Sequence, residues 1–177
     1  MTKLNARALR HTPPSALAEE KQKLTRNQVF LILEDIYDTY NIGGLFRLAD
    51  ALAVQRVYLC GETEKPPNTR IHKASCGTYK VVPWEYAPHT QDVLTKLKDT
   101  TAGLRTIAIE QSHTSISYHA IAKGMPIALI VGNETRGISP QTLNMCDHIA
   151  EIPMWGVNKS LNVIVSAAIV SYHLMTQ

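Results

Sequence analysis

The chain has few cysteines and no long apolar segment, and these absences exclude several classes of protein. The three cysteines among its 177 residues form no CxxC pair, so neither a disulfide framework nor a structural zinc site is indicated. No apolar run reaches the ~20 residues of a membrane span, and the polar N-terminus lacks the apolar block of a signal peptide. We therefore expect reduced thiols in a cytoplasmic protein that contacts no membrane.

Familiar nucleotide-binding and catalytic motifs are also missing. The sequence contains no G-x-x-x-x-G-K-[ST] segment and no G-x-G-x-x-G after a predicted strand. Its histidines have no metal-ligand spacing, and Ser160 lies in no G-x-S-x-G sequence. These absences argue against NTPases, metalloenzymes and serine hydrolases, and we expect no bound metal.

The basic residues are concentrated at the N-terminus. Residues 1–26 contain six Lys and Arg against two Glu, whereas the rest of the chain contains 12 Lys and Arg against 13 Asp and Glu. Such a segment can contact a phosphate backbone, although a solvated terminal segment explains the charge equally well. We predict two parts, a basic arm at residues 1–26 and a single domain at residues 27–177.

Short apolar runs alternate with amphipathic segments along the chain, which predicts an α/β fold with a mainly parallel sheet. Residues 29–33 are typical of a buried parallel strand, and residues 1–14 look loose because two prolines end them. The last predicted helix is apolar nearly all round, so it is either enclosed in the core or buried against a second subunit. The predicted strands are residues 29–33, 56–60, 79–83, 104–109, 127–131 and 148–152, and the predicted helices are residues 15–28, 41–53, 90–100, 139–146 and 160–175.

The first polar motif is Asn41-Ile42-Gly43-Gly44-Leu45-Phe46-Arg47, which follows the predicted strand at 29–33. Asn41 is a good helix N-cap, and two glycines in the first turn allow a phosphate or another backbone to approach the free N–H groups. Arg47 projects near the same helix end, which suits a nucleotide phosphate. A tight strand–helix turn is the alternative explanation.

The second motif, Gly132-Asn133-Glu134-Thr135-Arg136-Gly137, also follows a predicted strand. It places a carboxylate at the edge of the sheet, where Glu134 either binds a ligand or holds the loop through backbone N–H groups. Arg136 can pair with Glu134. Taken alone, this motif is explained equally well by a structural role in holding the loop and by a functional role in binding a ligand.

The third motif, Ile152–Val163, leads into the last predicted helix. Gly156 allows a bend, and Ser160 and Asn162 place two polar side chains at the start of the helix. Met154 and Leu161 supply an apolar wall. Its backbone groups suit the edge of a purine ring, and the alternative is an ordinary strand–helix joint capped by Ser160. Because loops at the carboxyl ends of parallel strands meet, the second and third motifs predict one shared pocket.

In order and spacing, the three motifs resemble those of the SpoU (TrmH-like) branch of the SPOUT RNA methyltransferases. That family shows N-x-G-[AG]-x-x-R, then G-x-E-x-x-G, then I-P-M-x-G-x-x-x-S-L-N-V before a terminal helix, and the similarity runs from about residue 29 to residue 172. The resemblance implies a mainly parallel sheet with helices on both faces and a C-terminal trefoil knot, an exception to the general absence of knots. It also implies S-adenosylmethionine bound in the knot, a homodimer with the active site at the subunit interface, and methylation of a ribose 2′-hydroxyl in tRNA or rRNA.

The resemblance assigns roles to individual residues as well. Arg47 would be the central catalytic residue, either as a base or as a positioner of a phosphate that acts as the base. Asn41, Glu134 and Asn162 would complete the catalytic site. The residues that bind the methyl donor would be Gly132, Ile152, Met154, Gly156, Ser160 and Leu161, with Ile109 packing on the adenine.

Two other functions are compatible with this fold. One is a catalytically idle RNA-binding dimer, but the intact motif residues argue against it. The other is a base methyltransferase, but the Asn41–Arg47 motif favours a ribose. We expect the basic arm and the groove of the dimer to supply most of the RNA contact. Removing residues 1–26 should then weaken RNA binding and flatten its salt dependence, while donor binding is spared.

Overall fold

The computed structural model describes residues 3–176, without the side chains of residues 14, 19 and 20, and contains one seven-stranded sheet. The order across the sheet is β3-β2-β1-β6-β4-β7-β5, and every pairing is parallel. The predicted parallel sheet is therefore confirmed. The strands are β1 (Asn27–Glu34), β2 (Val54–Cys60), β3 (Trp84–Ala87), β4 (Arg105–Ile109), β5 (Ile116–Ser117), β6 (Ile127–Val131) and β7 (His148–Glu151).

Helices cover both faces of the sheet, as predicted. They are α1 (Ala6–His11), α2 (Ala18–Lys23), α3 (Thr39–Ala51), α4 (Thr69–Ala74), α5 (Thr90–Thr100), α6 (Pro140–Leu143) and α7 (Val163–Met175), with 3₁₀ turns at Pro14–Leu17, Thr78–Lys80 and Tyr118–Ala120. Because side chains alternate along a strand, Leu31 and Leu33 of β1 enter one apolar core with α3 and α7. Phe30 and Ile32 enter a second core with α5. No helix in residues 3–176 is long and apolar enough to cross a membrane.

The predicted strand at residues 79–83 is wrong. Residues 78–80 form a 3₁₀ turn that begins at Gly77, whose φ of 85° is left-handed, and the strand starts at Trp84. Pro83 has no N–H to donate to a sheet, and its carbonyl instead accepts the N–H of Val57 (2.9 Å) just before the pairing of β2 with β3 begins. The two-residue strand β5 was not predicted because it is too short to carry a pattern.

The N-terminal segment is more ordered than the sequence indicates. Helix α1 forms where a loose segment was predicted, and Asn5 caps it by accepting the N–H of Ala8 at 2.9 Å. Of the helix predicted at residues 15–28, only α2 and the 3₁₀ turn before it are helical, because Asn27 already begins β1. Residues 1, 2 and 177 of the predicted arm and domain lie outside the described part of the chain.

Candidate ligand-binding and catalytic site

A cavity of about 680 Å³ lies at the carboxyl ends of β4, β6 and β7, the edge at which open α/β sheets bind ligands. Its volume falls within the roughly 300–1,000 Å³ of small-molecule pockets. The loops after β6 and β7, which are the second and third motifs, both line it, so the predicted shared pocket is present. Its apolar wall includes Ile109, Val131, Ile138, Ile152, Met154 and Leu161.

The structure gathers the residues predicted to bind the donor, with one exception. Residues of the second and third motifs and of the end of β4 face the same cavity: Ile109, Gly132, Ile152, Met154, Ser160 and Leu161. Gly156 is the exception, because it lies in the exposed loop beyond Met154, where a Cβ would meet nothing within 4 Å.

Two asparagines and a glutamate join the three motifs at the mouth of this cavity. Asn162 donates its Nδ2–H to Oδ1 of Asn41 (3.0 Å), and Asn41 donates its Nδ2–H to Oε1 of Glu134 (2.8 Å). These bonds join residues 121 and 93 positions apart in the sequence. Since Asn41 is only 6% exposed, its carboxamide is held in one orientation. Three of the four predicted catalytic residues thus form one hydrogen-bonded chain.

The helix caps are not the ones that the sequence indicates. Helix α3 begins two residues before Asn41, and Asp38 caps it by accepting the N–H of Tyr40 at 2.8 Å. At α7 the cap is Asn162, whose Oδ1 accepts the N–H of Ile164 at 2.9 Å, and not Ser160. The prediction of Asn41 as a cap was therefore wrong, and the alternative in which Ser160 caps the last helix is wrong as well. Because another residue caps α3, the side chain of Asn41 is available for contacts between motifs.

The two glycines of the first motif serve helix packing. A Cβ on Gly43 would lie 2.4 Å from the Cβ of Ala74 in α4, and one on Gly44 would lie 2.3 Å from Cδ1 of Ile164 in α7. Both glycines lie beyond the first three residues of α3, so the interpretation of this turn as a phosphate site was wrong. The glycines instead allow α3 to pack closely against two other helices.

The loop of the second motif is fixed by contacts that the motif pattern does not predict. Asn133 donates to the carbonyl of Asp35 (2.8 Å) and accepts the N–H groups of Thr135 and Arg136 (both 2.9 Å). Arg136 does not pair with Glu134; it bonds the hydroxyl of Tyr37 and lies near other carboxylates. The one sequence feature that points to this role of Asn133 is its position as a polar residue just beyond the end of β6.

Carboxylates dominate the charge of the cavity. Glu110, Glu134 and Glu151 line it, against the cations Arg136 and Lys159. Glu110 accepts the N–H of Ile138 (3.1 Å) and of Gln111 (2.8 Å), so its charge is held at the end of the second-motif loop. The lining therefore suits a ligand with positive charge. The described residues include no group of three or more His, Cys, Asp or Glu that could hold a metal ion.

Arg47 lies apart from the other predicted catalytic residues. It is exposed on α3, about 9 Å along the helix axis from Asn41 at ~1.5 Å per residue, and it does not line the cavity. No hydrogen bond or ion pair within the described residues holds its guanidinium. A single chain thus provides the cavity and the asparagine–glutamate chain but leaves Arg47 outside them.

Apolar side chains are exposed beside the cavity, in the third motif and on α7. Trp155 is 93% exposed, and Leu161, at 38%, also lines the cavity. The exposed members of this set are Trp155, Val157, Leu161, Val165 and Tyr172. The last helix is thus buried on one side and uncovered on the other, so a single chain does not enclose it.

The fold and the cavity define a parallel α/β protein with a small-molecule site at the carboxyl ends of its strands. The model of the SpoU rRNA Methylase family matches residues 28–172, and the chain belongs to that family. It is 32% identical over 156 residues to the 23S rRNA (guanosine-2′-O-)-methyltransferase RlmB of Neisseria meningitidis, which covers 87% of this chain and 60% of the relative. The chain therefore spans about three fifths of that relative's length.

Solved structures of RNA-modifying enzymes have the same fold. The AdoMet-bound rRNA methyltransferase from Sinorhizobium meliloti superposes with a TM-score of 0.76 at 26% identity, covering 94% of this chain and 59% of that one. The TrmH/SpoU tRNA modifying enzyme of A. aeolicus gives a TM-score of 0.77 at 24% identity, with coverages of 90% and 82%. The second similarity shows the fold alone.

Proposed function

We propose that this protein is an S-adenosylmethionine-dependent RNA methyltransferase that modifies a ribose 2′-hydroxyl of tRNA or rRNA. The observation that carries the proposal is the hydrogen-bonded chain from Asn162 through Asn41 to Glu134, which joins all three motifs at the mouth of one ligand-sized cavity. Family membership supports it, as does the ribose 2′-O-methylation named for the Neisseria relative.

The cavity fits the proposed donor in shape and charge. When bound, S-adenosylmethionine supplies a methyl group on a sulfonium cation, and it also carries an ammonium group, an adenine and a carboxylate. The apolar wall, with Ile109, Ile152 and Leu161, can hold the adenine, and the backbone of the third motif can bind its edge. The carboxylates of the cavity favour the two positive charges, and Lys159 can pair with the ligand's own carboxylate.

The trefoil knot is part of this proposal. Strand β7 pairs with β4 rather than with a neighbour in sequence, and the third motif runs from β7 past the loops after β4 and β6 into α7. The end of α7 returns to the loop before β6, where the carbonyl of Leu174 accepts the N–H of Gly124 at 2.8 Å. A chain threaded through these loops would give the cavity its closely packed walls.

The active site requires a homodimer in this proposal. Arg47 is outside the cavity of its own chain, so a partner subunit can bring its Arg47 to the mouth of that cavity. The exposed apolar set defined above would be buried at the contact, which accounts for a helix that one chain leaves uncovered. Symmetric pairing of this kind places two equivalent active sites at one interface.

The residues can promote methyl transfer without a metal. A ribose hydroxyl must lose its proton as it attacks, and in-line positioning supplies much of the rate. Glu134, which lines the cavity and is held by Asn41, would face the incoming ribose. Arg47 keeps its positive charge in ordinary environments. It therefore has two alternative roles: it binds a phosphate that accepts the proton, or it acts as the base itself in an unusual environment.

In this proposal the protein works on RNA in the cytoplasm, with its cysteines reduced. Cys60, Cys76 and Cys146 are all free thiols in the structure. Free thiols are normal in a reducing compartment.

Product analysis tests the proposed reaction. The pure protein would be incubated with labelled S-adenosylmethionine and total RNA from cells that lack it, and the labelled nucleoside identified in separated tRNA and rRNA. We expect label in a 2′-O-methylated nucleoside, with R47A about 10²–10⁴-fold slower and donor binding retained. Label on a base would overturn the ribose assignment. No label despite measurable donor binding would favour the idle RNA-binding dimer.

A further inference from the structure

Three short segments that are far apart in the sequence converge into one positively charged surface. They are α1, α4 and the 3₁₀ turn Thr78–Lys80, and we call this surface the cationic face. None of the three segments contains Asp or Glu. Their Lys and Arg residues are Arg7, Arg10, Arg70, Lys73 and Lys80, with His11 and His72 beside them.

Hydrogen bonds hold α1 on this face, so it is not a free tail. The guanidinium of Arg10 donates to the carbonyl of Lys73 (3.2 Å), and Nζ of Lys80 donates to the carbonyls of Arg10 (2.7 Å) and Thr12 (3.1 Å). A Cβ on Gly77 would lie only 2.9 Å from the carbonyl oxygen of Leu9. Two of the cations therefore join the segments, while Arg7, Arg70 and Lys73 are exposed to a ligand.

The charge of the cationic face is not neutralised from within. Burial lowers the pKa of His72 most, and the positive charges of Lys80, Arg10 and His11 lower that pKa further, with no carboxylate of the described side chains acting against them. A surface outside these segments shows the opposite arrangement, because Glu85 pairs there with both Arg56 (2.7 Å) and Lys96 (3.2 Å). The cationic face can therefore attract phosphates over a distance of about one Debye length, ~10 Å at 0.1 M salt.

Arg47 lies at the border of this face. Gly43, one helical turn before Arg47 on the same side of α3, packs against Ala74 of α4. Phe46, the residue before Arg47, makes an edge contact with Tyr79 of the 3₁₀ turn, at 6.3 Å between ring centroids. A polyanion on the cationic face would thus pass next to the proposed catalytic arginine.

We propose that the cationic face binds the phosphate backbone of a helical RNA segment beside the target nucleotide and thereby guides that nucleotide to Arg47. This inference rests on the proposed function and names the part of the RNA that the protein grips. The face offers charge but no stacking surface, because Tyr79, the aromatic residue among its three segments, packs against Phe46 and His72. Single-stranded RNA is gripped through stacked aromatics, whereas duplex RNA is bound through its backbone and shape.

The salt dependence of RNA binding tests the cationic face. The variant R7Q/K73Q removes two exposed charges, and R56Q/K96Q removes the same charge from the neutralised surface. Binding would be measured over a salt series with a blunt-ended RNA duplex and with oligouridine of equal phosphate number. The quantity compared is the slope of log affinity against log salt concentration. At ~0.9 per lost phosphate contact on a duplex, R7Q/K73Q should reduce the size of that slope by about 1.8, and R56Q/K96Q should leave it unchanged.

Equal slopes for wild type and R7Q/K73Q would overturn the inference, as would an equal loss in R56Q/K96Q or tighter binding of oligouridine than of duplex. Melting temperature and S-adenosylmethionine binding of R7Q/K73Q should match wild type, which excludes misfolding as the cause of a changed slope. Methyl transfer by the wild type is measured in parallel. If R7Q/K73Q lowers the slope but the wild type transfers no methyl group, the proposed reaction alone is rejected. If the wild type transfers a methyl group but R7Q/K73Q leaves the slope unchanged, the role of the cationic face alone is rejected.

Discussion

The side chain of Asn162 donates a hydrogen bond to the side-chain oxygen of Asn41 at 3.0 Å, while its own oxygen caps α7. One asparagine thus starts the last helix and orients the polar residue of the first motif. Since Asn41 must then present its N–H to Glu134, the positions of all three side chains depend on one another. A change that reverses the polarity of Asn162 but keeps its shape should disturb the site more than the fold.

N162D is that change. Aspartate is as good a helix cap as asparagine, but it offers Asn41 an acceptor where a donor is needed. We expect methyl transfer to fall about ten- to a hundredfold, since a buried polar group left without its partner costs roughly 1–3 kcal/mol, while the retained helix cap limits the loss in melting temperature. N162A, which also loses the cap, should lower both. An N162D protein with wild-type turnover would contradict the role given to this bond.

G43A tests the close packing of α3 on α4. The new Cβ would lie 2.4 Å from the Cβ of Ala74 and 2.8 Å from the backbone nitrogen of Ser75, so the helices must separate. We expect a loss of about 1–3 kcal/mol in the free energy of unfolding, the usual cost of overpacking, measured by urea denaturation. The control is G156A, whose Cβ meets nothing within 4 Å and should leave stability unchanged. Equal stability of both variants would refute the packing role.

The sheet was predictable because its strands are local features of the sequence. The apolar run that became β6 was predicted with its observed bounds, as was α5, whose apolar residues recur at helical spacing. The region from Gly77 to Pro83 was mispredicted because its β-type residues are overridden by a left-handed glycine and by a proline without an N–H. Helix α1 was missed because its docking depends on Lys80, distant in sequence.

The candidate site was predictable in its members but not in its connections. The motif pattern identified Asn41, Glu134 and Asn162, yet their bonds span up to 121 positions, and no local pattern encodes such a contact. The cap at Asp38 was missed because two good capping residues lie three apart and only the packing of α3 selects between them. Whether Arg47 is used by its own cavity or by a partner's depends on assembly, which the sequence of one chain does not specify.

Mixed dimers distinguish these two cases. R47A lacks the arginine but keeps its cavity, whereas G132A keeps the arginine and should lose donor binding, because its Cβ would lie 2.5 Å from the backbone of Gly137. If Arg47 acts across the interface, a mixed dimer has one intact site. Equal mixing should then restore about a quarter of wild-type activity, since half of the dimers are mixed and each has one of two sites. No recovery, with dimers verified by mass, would assign Arg47 to its own chain.

Asp147 should make stability depend on acid pH. Its Oδ2 accepts both the N–H and the hydroxyl of Thr106 (2.7 Å each), which ties the start of β7 to β4. Burial alone would raise the pKa of Asp147, but the bonds from Thr106 and the charge of Lys98 lower it overall. The stabilisation is therefore present above the unfolded pKa of about 4 and is lost as pH falls through the lower folded value.

D147N provides the comparison for that pH dependence. The free-energy gap between wild type and D147N should be about 1 kcal/mol near neutral pH, a modest value because the carboxylate is partly exposed to solvent. It should narrow as wild type is titrated below about pH 4, as measured by denaturant unfolding across pH. A gap that stays constant into the acid range would rule out Asp147 as the titrating group.

The three thiols should differ in reactivity. Burial raises the pKa of Cys60 and of Cys146 to about 12 in each case, so at pH ~8 almost none of either is thiolate, the reactive form. Cys76 and Cys146 are both partly exposed, but the guanidinium of Arg10 lies 3.3 Å from the sulfur of Cys76, and a neighbouring cation favours the thiolate. We therefore expect a single fast-reacting thiol in the native protein and all three after unfolding, as followed with a chromogenic disulfide reagent.

C76S should abolish the fast phase, and R10Q should change its rate by loosening α1. A fast phase that persists in C76S would show that Cys60 or Cys146 is the reactive thiol and would contradict this prediction. The reagent thus reports on the docking of α1, because the residue that anchors this helix is also the one that contacts the reactive sulfur.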